Sequence, residues 1–168
     1  EINIYSGIDI GSDTIKIVTG EYVNGNFNVL AAVSVPSNGV RRGIIIDSNL
    51  AIESLKSGID EMEKILGMVI KKAVITVPAF FSDAAKSATK QSGELAGLNV
   101  LRIISEPTAA LLASNIDKKK DGKYLVVDFG GSTTDFSVAD VSDNVVEILS
   151  SYGDVYLGGS DIDKLVTD

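Results

Sequence analysis

Twice along the chain a short apolar strand ends in an aspartate, an apolar residue and a glycine, after which small hydroxyl residues open a new strand. The copies are Asp9, Ile10, Gly11, Ser12, Asp13, Thr14 and Asp128, Phe129, Gly130, Gly131, Ser132, Thr133, Thr134. Ile8 and Ile10 belong to the strand closed by the first copy, and Leu125, Val126 and Val127 to that closed by the second. The strands that follow are Ile15 to Val18 and Asp135 to Val141, and third strands, Phe27 to Val35 and Val145 to Ser151, complete a three-strand meander in each half. This pattern predicts an internal duplication. A glycine at a strand-to-strand turn lets backbone N–H groups crowd close to an anion, and the aspartate before it supplies a carboxylate at the strand end. Two such turns facing each other would grip a polyphosphate and its metal from both sides.

A chain of 168 residues, 45% of them hydrophobic, is long enough to bury a sizeable core. No apolar run reaches membrane-spanning length. The net charge of −8 argues against a nucleic-acid partner, whose phosphate backbone calls for clustered lysine and arginine. The one basic run, Lys118 to Lys120, reads as a solvated turn. Cysteine and histidine are both absent, which removes thiol chemistry, disulfides, Cys/His zinc sites and histidine-based triads together. What remains is carboxylates, hydroxyls, lysines, backbone dipoles and an oxygen-loving metal such as magnesium. The missing cysteine and the lack of a secretory signal favour a cytoplasmic location. The start at Glu1, without methionine, reads as a processed or excised piece.

Between the meanders the pattern becomes α/β. Asn24 and Gly25 signal a hairpin, Pro36 to Gly39 a loop, and Ile44 to Ile46 a short apolar strand. Asp47 or Ser48 caps a helix with apolar residues at Ile52, Leu55, Ile59, Met62, Ile65 and Leu66, ended by Gly67. Lys72 to Val77 reads as a buried strand, Ser82 caps a helix through Ala96, and Asn99 to Ile104 is a further strand. Glu106 and Pro107 then open a helix stopped near Asn115. The expected fold is a mixed five-stranded sheet with helices, residues 1–119, followed by the first meander of a second such unit, residues 120–168. After that meander only Gly158, Gly159 and two turns of helix remain, so the second unit reads as a fragment or as completed by another copy of the chain.

The order Asp9-Ile-Gly, Ser105-Glu-Pro-Thr-Ala-Ala110 and Asp128-Phe-Gly-Gly-Ser-Thr133 resembles the phosphate 1, connect 1 and phosphate 2 motifs of the actin-like ATPase superfamily. That resemblance implies a duplicated ribonuclease-H-like fold. From Val77-Pro-Ala-Phe-Phe81 through Ala96 to Ile104 and Leu157-Gly-Gly-Ser-Asp-Ile-Asp163, the chain resembles the nucleotide-binding domain of DnaK-type seventy-kilodalton heat-shock chaperones. Residues 1–70, with Gly7-Ile-Asp-Ile-Gly-Ser12 and Gly39-Val-Arg-Arg-Gly-Ile-Ile-Ile-Asp47, are more similar to the cell-division protein FtsA. Such a mixture fits either a compact outlying member or a chimera of two relatives.

The resemblance implies ATP or ADP with Mg2+ as ligands. Asp9 and Asp128 would share the metal through its waters. Backbone N–H groups around Gly11, Ser12, Asp13 and Thr14, and around Gly130, Gly131, Ser132 and Thr133, would hold phosphate oxygens. Glu106 matches the carboxylate that orients or deprotonates the attacking water, and Ser12 and Thr133 offer hydroxyls to the terminal phosphate. Lys16 matches a phosphate-contacting lysine of actin and FtsA, although alone it reads as a solvated strand residue. Gly158 and Gly159 are weaker phosphate-side candidates. Asp135 reads as a strand-surface residue, and the apolar alternation of all six meander strands as core. The chaperones carry a catalytic lysine in a subdomain for which Asn38 to Lys71 offers no matching motif, and their adenosine-binding half lies beyond the matched region. Hydrolysis is expected to be slow or lost. The alternative is an FtsA-like polymerising scaffold with a filament or client partner.

Overall fold

The computed structural model describes residues 3–114 and 121–167. The expected helix stop at Asn115, the basic turn Lys118 to Lys120 and the boundary at 119/120 lie outside the described residues. Two compact units form: residues up to Val77 with Ser82–Ile103, and Pro78–Phe81 with residues from Ile104 onward.

In the first unit β1 (Ile4–Ile10), β2 (Thr14–Val23) and β3 (Asn26–Pro36) make the expected antiparallel meander. Asn24 and Gly25 both take positive φ, 51° and 81°, the geometry that lets a two-residue turn follow the twist of its strands. Two short strands, β4 (Val40–Arg41) and β5 (Ile44–Ile45), pair with each other in a separate ribbon. The sequence pattern placed a strand of three residues here. It is shorter because the backbone of Ile46 and Asp47 turns back, both N–H groups donating to the Gly39 carbonyl at 2.8 and 3.0 Å.

Asp47 then caps α1 (Ser48–Leu66), its Oδ1 accepting from the N–H groups of Asn49 and Leu50. Gly67, at φ 65°, closes the helix. β6 (Lys72–Val77) runs parallel to β1, Ser82 caps α2 (Asp83–Leu95), and β7 (Asn99–Ser105) completes a mixed sheet of order β3-β2-β1-β6-β7. α1 buries Leu55, Ile59 and Met62 against Ile8, Ile15, Ile17, Val33 and Val35, the heart of the core. Gly58 permits this approach, since a Cβ there would meet Ile17 Cδ1 at 3.0 Å.

The second unit holds α3 (Glu106–Ala113), β8 (Gly122–Phe129), β9 (Thr134–Ser142), β10 (Val145–Asp154) and α4 (Gly159–Thr167). The three strands form an antiparallel sheet of order β10-β9-β8. Duplication extends to fine detail. Asp143 and Asn144, with φ of 51° and 63°, stand where Asn24 and Gly25 stand in the first meander. Each third strand also carries one unpaired extra residue at the same place: Leu30 between Val29 and Ala31, and Leu149 between Ile148 and Ser150.

The two copies differ in what covers them. Ile8 in β1 is 1% exposed beneath α1, whereas Val127, its counterpart in β8, is 55% exposed, with Leu125 and Phe129 similarly open. This corrects the reading of all six meander strands as core. An alternating pattern marks an apolar face but does not supply a covering element. In the second unit α3 packs on β8 and β10, where Leu111 is buried, while Ile162, Leu165 and Val166 of α4 remain exposed. Among the described residues no helix is long and apolar enough to cross a membrane.

Candidate functional site

Each acidic turn is closed by the same bond. The Gly11 N–H donates to the Thr14 carbonyl at 3.0 Å, and the Gly130 N–H to the Thr133 carbonyl at 2.8 Å. Glycine is required at the first: a Cβ on Gly11 would lie 2.9 Å from the Thr14 carbonyl oxygen. Between the closing residues, the N–H groups of Ser12 and Asp13 in one turn and of Gly131 and Ser132 in the other make no hydrogen bond among the described residues. Adjacent unpaired amides at a tight turn form a concavity suited to an anion.

In the first unit Asp13 is exposed, and its carbonyl accepts from the Ser37 N–H at 2.9 Å, fastening the turn to the end of β3. Thr14 begins β2. Asp9 stands directly opposite Lys16 across the β1–β2 ladder, with Nζ 3.6 Å from Oδ2. The pair is largely exposed, so it adds at most about 1 kcal/mol. The Ser12 hydroxyl oxygen accepts the Gly43 N–H at 2.7 Å, which brings the β4–β5 ribbon onto the turn.

In the second unit the Gly130 carbonyl accepts from the Gly159 N–H at 3.0 Å and the Gly131 carbonyl from the Ser160 N–H at 2.8 Å. A trans peptide points its C=O and its N–H in opposite directions. These two bonds therefore aim the N–H groups of Gly131 and Ser132 away from α4. Gly158 and Gly159 thus seat α4 on the turn; the Thr134 hydroxyl, donating to the Leu157 carbonyl at 2.7 Å, secures the same junction. Glu106 is the first residue of α3, behind the Ser105 cap, where the helix dipole favours a carboxylate. Each unit thus gathers its own set of the expected residues.

One residue was misjudged from sequence. Asp135 occupies in the second hairpin the place of Lys16 in the first, directly across from Asp128, and it is only 9% exposed rather than on the strand surface. Gly153, paired with it on β10, makes room: a Cβ there would collide with the Asp135 carboxylate and lie 2.8 Å from the Thr134 carbonyl oxygen. Symmetry about the turn was the available signal, since Asp128 and Asp135 flank its closing pair at equal distance.

Burial first, and the Asp128 carboxylate second, push the Asp135 carboxyl above the ordinary value of 3.8. A group that holds its proton more tightly in the folded state stabilises the fold while protonated, and loses that contribution as pH rises through its folded pKa. Asp135→Asn is accordingly expected to melt above the unmodified chain at pH 7 and to show no such gain at pH 3. An equal gain at both pH values in thermal denaturation would contradict the burial of a charge here. Two carboxylates in this position attract a cation. Among the described residues no group of three or more acidic, His or Cys side chains could cage a metal.

A family model described as Hsp70 protein matches residues 48–168, from the start of α1 through α4. The chain belongs to the Hsp70 family. It is 48% identical over 119 residues to "Chaperone protein dnaK" of Cyanidioschyzon merolae and 53% identical over 117 residues to the protein of that name from Guillardia theta. Those alignments cover 71% and 70% of this Hsp70-family chain, but only 20% and 19% of the relatives. The chain thus spans about a fifth of their length. Its mixed five-stranded sheet flanked by helices is consistent with the actin-like ATPase fold of the Hsp70 family.

Proposed function

We propose that the chain is an ATP-binding lobe of Hsp70 type, cytoplasmic, which binds MgATP and hydrolyses it slowly. The observation that carries this reading is the matched pair of turns, each with the same closing bond and two unpaired amides, in a chain of this family. The unpaired N–H groups of each turn offer fixed dipoles to phosphate oxygens. Asp9 in the first unit and Asp128 in the second would each offer a carboxylate to hydrated magnesium, and Asp135 adds negative charge beside Asp128. Magnesium, when bound, neutralises the charge that develops on the phosphates. Glu106 accepts the proton of the attacking water or orients it, and the Ser12 and Thr133 hydroxyls donate toward the terminal phosphate. Client recognition and control of lobe closure by the nucleotide belong to the same proposal.

Calorimetry with MgATP and MgADP tests it. The chain should bind both, and Asp9→Asn and Asp128→Asn should each weaken binding by about tenfold or more in the presence of magnesium while leaving the protein folded. Unchanged affinity in both variants would remove the metal assignment.

A second reading, a nucleotide-dependent polymerising module like FtsA, draws on two observations. Residues 1–47 lie outside the family match, and Leu125, Val127 and Phe129 leave an apolar sheet face open for self-association. Light scattering that rises with ATP would favour it. A strictly monomeric chain at high concentration would exclude it.

A further inference from the structure

Among the described residues four strands stand at the outer edges of the two larger sheets: β3 and β7 in the first unit, β8 and β10 in the second. An outer strand offers a row of backbone N–H and C=O groups to any other chain, and proteins blunt such edges with charged side chains, proline or a bulge. Three of the four carry charge within the strand: Arg102 in β7, Lys123 and Asp128 in β8, Glu147 and Asp154 in β10. β3, 11 residues long, carries none. Burial does not account for the difference. Only Val33 and Val35 are buried, and eight of the 11 residues are exposed, Phe27, Val29, Leu30 and Ala32 among them.

The two remaining guards leave a stretch between them. Pro36 is the last residue of β3, and the unpaired Leu30 interrupts the strand near its middle. From Ala31 to Val35 the register with β2 is unbroken, Ala31 opposite Thr19 and Val35 opposite Ile15. On the outer side, no backbone hydrogen bond joins these five residues to another element among the described residues. Ala31, Ala32 and Ser34 are small, so their side chains leave that edge of the backbone accessible.

We infer that the segment from Ala31 to Val35 is a docking edge for the same segment of a second copy, the two β3 strands pairing antiparallel across a two-fold axis. Charge selects this partner. A chain of net charge −8 repels its own copies, and two copies meet most readily where no like charges are brought face to face. An uncharged strand placed against itself satisfies that condition, and each copy supplies the N–H and C=O groups that the other leaves open. A two-fold contact of this kind closes on itself and stops at two copies. It joins the five-stranded sheets of both copies into one and calls for no nucleotide, which takes it beyond both readings of function given above.

The test is sedimentation of the full chain from about 1 μM to about 1 mM, with and without MgATP. The unmodified chain should pass from monomer to dimer, half-dimerised near about 100 μM as befits a small interface, and equally in both conditions. Ala32→Lys and Ala32→Glu each set like charges side by side across the axis and should weaken the dimer by about tenfold or more. Because Ala32 is exposed, both variants should melt with the unmodified chain at low concentration. Mixing the two should restore the dimer. Leu125→Lys, on the open face of β8, should dimerise as the unmodified chain does. A monomer at every concentration overturns the inference, as does a dimer indifferent to Ala32→Lys or a mixture that fails to recover. Loss of the dimer in Leu125→Lys alone would move the contact to the second unit and overturn it too. Assembly past two copies, or only with ATP, would belong to the polymerising module and would overturn the closed pair.

Discussion

Gly158→Ala is expected to unseat the second acidic turn, destabilising the second unit by about 3 kcal/mol, the upper part of the range for overpacking. A Cβ at this position would lie 2.5 Å from Ser132 Cα and 2.6 Å from the Gly131 carbonyl carbon, and closer still to the Ser132 nitrogen. All three are backbone atoms of the turn, so no side-chain rotation relieves the contact. The neighbouring glycine is the control. A Cβ on Gly159 would find its nearest neighbours at 3.9 Å, ordinary contact, and the bond from its N–H to Gly130 survives the substitution. Gly159→Ala is therefore expected to change stability by less than about 0.5 kcal/mol. Amide hydrogen exchange reports both: Gly158→Ala should strip protection from Gly159 and Ser160, and Gly159→Ala should not. Equal protection in the two variants would mean that the junction of α4 with the turn is not built on backbone contact.

The second large effect compares corresponding positions of the duplicated meander. Ile8→Ala should cost about 3 kcal/mol, because it opens a cavity beneath α1 between Ile17, Leu55 and Ile75. Val127→Ala, at the matching place in β8, should cost less than about 0.5 kcal/mol because the side chain is already open to water. Urea denaturation followed by hydrogen exchange resolves the two units. Similar costs at both sites would show that the face of β8 is covered in solution, and a Val127→Ala cost that grows with protein concentration would identify a second copy as the cover.

Features written in local chemistry were readable from the residues. Asn24–Gly25, the Asp47 and Ser82 caps, the Gly67 stop and the Glu106–Pro107 helix start each depend on a few neighbouring side chains, and each forms where its pattern indicates. The two acidic turns belong to the same class, since a glycine between an aspartate and a threonine carries its own backbone geometry. What was not readable depends on distant partners. Asp135 is buried because Gly153, on another strand, lacks a side chain. Ser12 meets Gly43 across 31 residues. The open face of β8 carries the same alternation as the closed face of β1, and only the packing of α1 distinguishes them. Gly158 and Gly159 read from sequence only as phosphate-side candidates, because the turn residues they pack and bond against, Gly130, Gly131 and Ser132, lie far away along the chain.

The placement of β1 bears on how the chain is assembled during synthesis. Its pairing with β2 is made by nearest neighbours in sequence, but its other edge waits for β6, and the Thr76 hydroxyl reaches the Ile8 carbonyl across 68 residues at 3.3 Å. Contacts of such separation close late, after local hairpins have formed. On the ribosome, a nascent chain stalled between residues 36 and 72 would display Ile4–Ile10 with one side of its backbone unzipped, the interval in which misassociation with other emerging chains is most favoured.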